Sequence, residues 1–226
     1  MTPANPTPPA LTPATLYFDV ISPYAYLMDV QLRRAELPLA LALKPVLFAG
    51  LLNAHGTKGP AETPGKRTYI YEFCTYRALT CGIPFQTPRV HPFNPLRYLR
   101  LTIALGETRA ATSAVFDALW TTGADPTAPE TWQGITRALG VAAADALIEA
   151  PEVKQRLRDN TEAAIAAGVF GVPTILVGDR LFWGEDSLPM LAAYLAGDPI
   201  FRSPQMLAAR QVRFGAHRRL EKETGL

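Results

Sequence analysis

In the stretch Phe18-Asp19-Val20-Ile21-Ser22-Pro23-Tyr24, Ser22 stands where a short apolar run gives way to a helical pattern. A serine there caps a helix, and Pro23 suits the first helical position because the N–H it lacks would be unpaired anyway. Capping alone accounts for the pair. The same place carries a second chemistry, since free backbone N–H groups and the positive end of the helix dipole favour an anion. Ser22 brings a hydroxyl donor to such a site and no sulfur, so a thiolate there has to arrive with a ligand.

Two more segments hold groups that suit a ligand. Gly168-Val169-Phe170-Gly171-Val172-Pro173-Thr174 runs straight into an apolar strand pattern. Pro173 is either a strand-initiating proline or one with a cis Val172–Pro173 bond, which would turn the Val172 N–H and C=O outward towards a peptide-like ligand. Trp183-Gly184-Glu185-Asp186 places two acids ahead of the last helix, where the dipole alone explains them; facing a site, they would take a ligand's ammonium. His91, in the Pro-rich run His91-Pro92-Phe93-Asn94-Pro95, is a structural imidazole or a pocket group, while His55 and His217 carry no signal. Cys74 and Cys81 are seven apart in a helical pattern, about 10 Å along the axis, too far for a disulfide. With no CxxC and no Cys/His cluster, neither a redox dithiol nor a metal site is expected.

These residues need a frame, and hydrophobic periodicity supplies one. A strand from Thr15 ends at Ser22-Pro23, and Ala25, Met28, Leu32 and Ala35 then recur at helical spacing. The apolar run Leu39–Phe48 reads as a second strand, parallel to the first through a right-handed crossover. Residues 51–165 show helical stripes such as Leu96, Leu99 and Ile103 and almost no strand-like runs. A helix from about 152 to 167, the run Pro173–Val177, the turn Gly178-Asp179-Arg180 and Leu181–Gly184 give a helix and a hairpin, and Leu188, Leu191, Ala192 and Leu195 give a closing helix. The order βαβ, helices, ββα is an α/β, thioredoxin-like plan with a large all-helical insertion. The thioredoxin-like domain is expected at 15–50 and 166–200 and the insertion domain at 51–165. A disordered tail is expected at 1–14, which holds five prolines from Pro3 to Pro13, and a basic, helical tail at 201–226.

Composition narrows the function classes. The 226 residues are 48% hydrophobic and 19% charged, with a net charge of +2, which describes a chain able to bury a full core and rules out global disorder. No apolar run reaches the roughly 18–20 residues of a membrane span, and the N-terminus has no secretory pattern, so a cytoplasmic protein without a membrane partner is expected. Six basic and two acidic residues fall within 200–226, a pattern that suits a solvated helix face or an oligomer contact better than nucleic acid.

Taken together, Phe18–Leu27, Lys44–Gly56, Lys58–Ile70, His91–Leu101 and Gly168–Leu191 resemble the 2-hydroxychromene-2-carboxylate isomerase family, whose relatives are the kappa-class glutathione transferases and DsbA-like thioredoxin proteins. The resemblance spans about residues 15–196. It implies a glutathione-dependent isomerase of the 2-hydroxychromene-2-carboxylate / trans-o-hydroxybenzylidenepyruvate type, in which Ser22 holds the glutathione sulfur as a thiolate. It implies glutathione contacts at Ser22, Pro23, Tyr24, Thr57, Val172, Trp183, Gly184, Glu185 and Asp186, a cis Pro173, a substrate-pocket place for His91, and a homodimer. Asp186 would meet the glutathione amine. Three positions depart from the pattern: Thr57 stands where several relatives have asparagine, Leu52 where the isomerase has a substrate-contacting lysine, and His91 where it has a substrate-pocket residue of another type. Lys66 and Arg67 are the candidates to attract a substrate carboxylate. The rival readings are a kappa-type transferase and a non-enzymatic glutathione- or peptide-binding module.

Overall fold

The computed structural model describes residues 10–213 and 215. Strand β1 (Thr12–Phe18) leads through the Ser22 turn into helix α1 (Pro23–Arg34) and strand β2 (Leu39–Pro45), which lies parallel to β1 with Leu16 opposite Leu43. The hairpin β3 (Thr174–Val177) and β4 (Arg180–Trp183) pairs antiparallel to β1 through Leu16 and Ile175, giving a four-stranded sheet in the order β2-β1-β3-β4. The two outermost motifs of the chain thus meet, because β1 and β3 are neighbours although about 160 residues separate them.

Between β2 and β3 the elements are helical: α2 (Phe48–His55), α3 (Pro64–Thr80), α4 (Leu96–Ala104), α5 (Arg109–Trp120), α6 (Pro129–Ala138), α7 (Ala144–Glu149) and α8 (Pro151–Ala166). Helices α9 (Leu188–Leu195) and α10 (Pro204–Ala209) follow the hairpin. Six helices carry proline in their first turn, where no N–H is needed, and this is how a chain with 21 prolines stays helical. The helical block and the sheet share one core. Phe18 packs on Phe116 of α5 at 5.5 Å, and the fully buried Trp120 donates its indole N–H to the Val20 carbonyl at 2.9 Å.

Two expected boundaries shift. The strand expected from Thr15 starts at Thr12, so residues 12–14 of the expected tail are sheet; residues 1–9 lie outside the described part. Pro13 is tolerated opposite Ala40 because β3 reaches only Thr15, leaving no partner strand on the side where Pro13 lacks its N–H. The second strand ends at Pro45 rather than Phe48. The Leu47 and Phe48 N–H groups are taken by the side chains of Thr161 (3.0 Å) and Asp19 (2.9 Å), which starts α2 instead of extending a ladder. The expected basic tail is helical over α10, with Arg210 paired to Asp179 at 3.5 Å, while residues 214 and 216–226, including His217, lie outside the described part. Among the described residues no helix is long and apolar enough to cross a membrane.

Candidate functional site

The site forms where the β1–α1 turn meets the start of β3. Ser22 is 7% exposed and caps α1, its Oγ accepting the Ala25 N–H at 3.2 Å. The same hydroxyl points at the Val172 carbonyl, 3.5 Å away, a long contact that an incoming acceptor can replace. The Val172–Pro173 bond is cis. Among the described residues, the N–H groups of Tyr24 and Val172 meet no acceptor. Unpaired donors beside a buried hydroxyl are what a peptide-like anion requires.

Ser22 lines a cavity of about 430 Å³ together with Pro23, Tyr24, Thr57, His91, Val172 and Trp183. Its wall is mostly apolar, with Phe48, Leu52, Phe93 and Phe170 among the lining residues. Lys58 is the one cation among the described lining residues; of the two lining carboxylates, Asp19 is taken by backbone N–H groups, and Glu62 accepts the Gly59 N–H at 2.6 Å. Trp183 is exposed at the rim and packs edge-on against Phe170 at 5.1 Å. Gly171 allows that approach: a Cβ there would lie 2.6 Å from the indole nitrogen.

A second cavity, about 420 Å³, shares Tyr24, Val172 and Trp183 with the first and adds Lys66, Gly184, Glu185 and Asp186. The Gly184 N–H donates to the Pro173 carbonyl at 2.9 Å, which seats the acidic segment against the cis-proline. Gly184 adopts φ 84°, and a Cβ there would collide with the Asp186 carboxylate. The two acids part company. Asp186 is exposed and makes no ion pair with the described residues. Glu185 is 2% exposed and faces inward, taking two bonds from Arg77 (2.6 and 3.0 Å) and one from Gln31 (2.7 Å). That pairing pushes the Arg77 pKa up.

His91 lines the first cavity with both ring nitrogens engaged. Nε2 lies 2.7 Å from the Ile21 carbonyl and Nδ1 2.8 Å from the Tyr71 hydroxyl. A carbonyl only accepts, so Nε2 carries the proton; the Tyr71 hydroxyl also lies 3.1 Å from the His91 carbonyl, and in the neutral ring, which burial favours, it donates to Nδ1. Burial lowers its pKa in the same sense. His55, without signal in the sequence, ties the end of α2 to the Val169 carbonyl at 3.0 Å, steadying the segment that carries Val172. Asp19, Tyr71, Arg77 and Gln31 also escaped the sequence reading; only Asp19 left a trace, as an acid three residues before the capping serine. Of the cations expected near a carboxylate, Lys66 lines the second cavity and Arg67 neither. Both cysteines are free, and burial raises the Cys74 thiol to about 12, far from a reactive thiolate.

The chain belongs to the DsbA-like thioredoxin family, whose profile matches residues 15–196, and within it to the enzymes that include the 2-hydroxychromene-2-carboxylate isomerases. It is 30% identical to the 2-hydroxychromene-2-carboxylate isomerase of Sphingobium xenophagum over 190 residues, 79% of this chain and 95% of that protein. It is 28% identical to glutathione S-transferase kappa 1 of Rattus norvegicus over 211 residues, 84% of this chain and 93% of that one. The solved structure of a 2-hydroxychromene-2-carboxylate isomerase superposes with a TM-score of 0.73 at 25% identity, covering 86% of this chain and 98% of that chain.

Proposed function

We propose that this enzyme binds glutathione across the two cavities and isomerises an aromatic, conjugated 2-oxo acid of the 2-hydroxychromene-2-carboxylate / trans-o-hydroxybenzylidenepyruvate type. The carrying observation is a buried serine hydroxyl at a helix N-terminus in the wall of the first cavity, with Tyr24 and Val172, whose N–H groups meet no acceptor among the described residues, lining both cavities. Bound glutathione supplies a thiolate that adds to a conjugated double bond, lets the bond rotate and leaves again. Ser22 and the first turn of α1 hold that sulfur ionised; a free thiol of pKa about 8.5 is mostly protonated at neutral pH, and a donor plus a helix N-terminus lowers it. Val172 pairs with the peptide backbone, Asp186 meets the ammonium and Lys66 offers a cation to a glutathione carboxylate; Thr57 and Trp183 close the rim, and Glu185, held by Arg77, forms part of the wall of the second cavity. The apolar first cavity orients the aromatic ring and excludes water, and Lys58 draws the substrate carboxylate to its mouth.

Calorimetric titration with glutathione, read together with thiolate absorbance, tests this on the wild type and Ser22→Ala. The expected result is an ionised thiol in the wild type only, with at least a tenfold loss of turnover in the variant; unchanged turnover overturns the role of Ser22. The kappa-class relative favours a second reading, a transferase that consumes glutathione stoichiometrically where the isomerase returns it unchanged. We further place the protein in the cytoplasm as a homodimer, for which light scattering of the purified chain is the check.

A further inference from the structure

We propose that Asp19 and His91 are positioning residues that hold Ile21 from both sides and so set where the Ser22 hydroxyl stands. The inference rests on the reading of Ser22 given above. Ile21 immediately precedes the capping serine, and each of its backbone polar atoms is taken by a titratable side chain. Its N–H donates to Asp19 Oδ1 at 3.0 Å, and its carbonyl accepts from His91 Nε2 at 2.7 Å.

Each clamp is anchored on a different wall of the first cavity. Asp19 Oδ2 accepts the Phe48 N–H at 2.9 Å, the first amide of α2, whose own N-cap residue Leu47 has no side-chain acceptor. Asp19 therefore caps α2 from the end of β1 while holding the turn. His91 Nδ1 accepts from Tyr71 of α3 at 2.8 Å, and its ring lies 5.4 Å from that of Trp120. The turn is thus braced between α2 and α3, both of which contribute lining residues to the cavity.

Asp19 is an expensive choice for a brace. Its side chain is fully buried, and its hydrogen-bond partners are two N–H dipoles with no cation. Burial raises its pKa to about 7 against the lowering effect of those two bonds; the other titratable groups lining the same cavity are His91, Tyr24, Lys58 and Glu62. A carboxylate is the side chain that can accept from two divergent N–H groups at once, whereas asparagine offers one acceptor and turns an NH2 against the second donor. Displacing a reacting group by about 1 Å is enough to cost on the order of a hundredfold in rate, so a brace on the residue before Ser22 acts directly on turnover.

The test uses Asp19→Asn, His91→Phe and His91→Gln in the full chain, with kcat, KM for glutathione, thiolate absorbance of bound glutathione and amide hydrogen exchange at Ala25 and Tyr26, whose N–H groups bond to Ser22. Asp19→Asn and His91→Phe are expected to lower kcat at least tenfold and thiolate absorbance in step, with KM for glutathione changed less than threefold. His91→Gln keeps a donor for the Ile21 carbonyl and is expected to recover turnover to within about fivefold of the wild type. The double variant Asp19→Asn/His91→Phe is expected to lose little more than either single one, because both act on one residue. Folded Asp19→Asn and His91→Phe proteins with wild-type kcat and thiolate signal would overturn the proposal, as would full additivity. If the wild type binds no glutathione, the functional reading fails by itself, and exchange still decides the brace. At least tenfold faster exchange at Ala25 and Tyr26 in both variants supports it, and unchanged exchange sinks it.

Discussion

Two carboxylates are buried in the walls of the two adjoining cavities, Asp19 in the first and Glu185 in the second, and are treated in opposite ways. Glu185 is held by a cation, Arg77, with Gln31 closing the cluster. Asp19 has only backbone N–H groups, one in the Ser22 turn and one at the start of α2. The first arrangement neutralises its charge and fastens the turn after β4 to α1 and α3; the second leaves a carboxyl at the edge of ionisation, near 7, in the wall where Ser22 sits. An ion pair locks elements whatever the ligand does, whereas a charge met by dipoles fixes the direction of particular backbone groups. The Glu185 side of the site is therefore scaffold, and the Asp19 side is alignment.

Breaking the scaffold should have the larger effect on stability. Glu185→Ala leaves Arg77 and Gln31 without their acceptor and is expected to cost about 3 kcal/mol in urea unfolding, the low end for a buried pair because Arg77 is partly exposed. A loss below about 1 kcal/mol would erase the distinction.

The alignment side separates activity from stability. Because burial raises the Asp19 pKa from 3.8 to about 7, the folded protein holds this proton more tightly than the unfolded chain. The stability from that difference is complete below about pH 4 and is lost as pH rises through 7. Asparagine does not titrate, so the stability of the wild type minus that of Asp19→Asn should fall between pH 5 and 8. His91, with its lowered pKa, runs in the opposite sense but is present in both proteins and drops out of the difference. A difference independent of pH would mean that the carboxyl titrates as an exposed one does.

The smallest effect sharpens the charge map of the second cavity. Lys66→Ala is expected to weaken glutathione binding about two- to fivefold by calorimetry, the scale of a solvent-exposed charge contact, and to leave thiolate absorbance of the bound ligand unchanged. Loss of the thiolate signal would place Lys66 beside the sulfur instead.

Much of the frame was legible because it rests on neighbours in sequence. The Ser22-Pro23 cap, the Gly178-Asp179 turn between β3 and β4, and the closing stripe Leu188–Leu195 use contacts within a few residues, and all are formed as the pattern requires. The misread edges have one cause. Leu47 and Phe48 look like the end of a strand until Thr161 and Asp19 take their amides, from 114 and 29 residues away. Pro13 looks like tail until the short reach of β3 leaves it an open edge.

By itself the sequence determined the α/β order, the helix that starts at Ser22 and the gathering of glycine, proline and acid motifs that the family resemblance ties to glutathione. Tertiary structure alone decided that Glu185 turns inward while Asp186 stays out, that His91 is a neutral brace, and that Asp19 serves two elements at once. The reason is physical. Caps and turns are set by backbone preferences over three or four residues, whereas the state of a buried charge depends on which donors the fold brings to it, and here those donors come from residues up to 154 positions away.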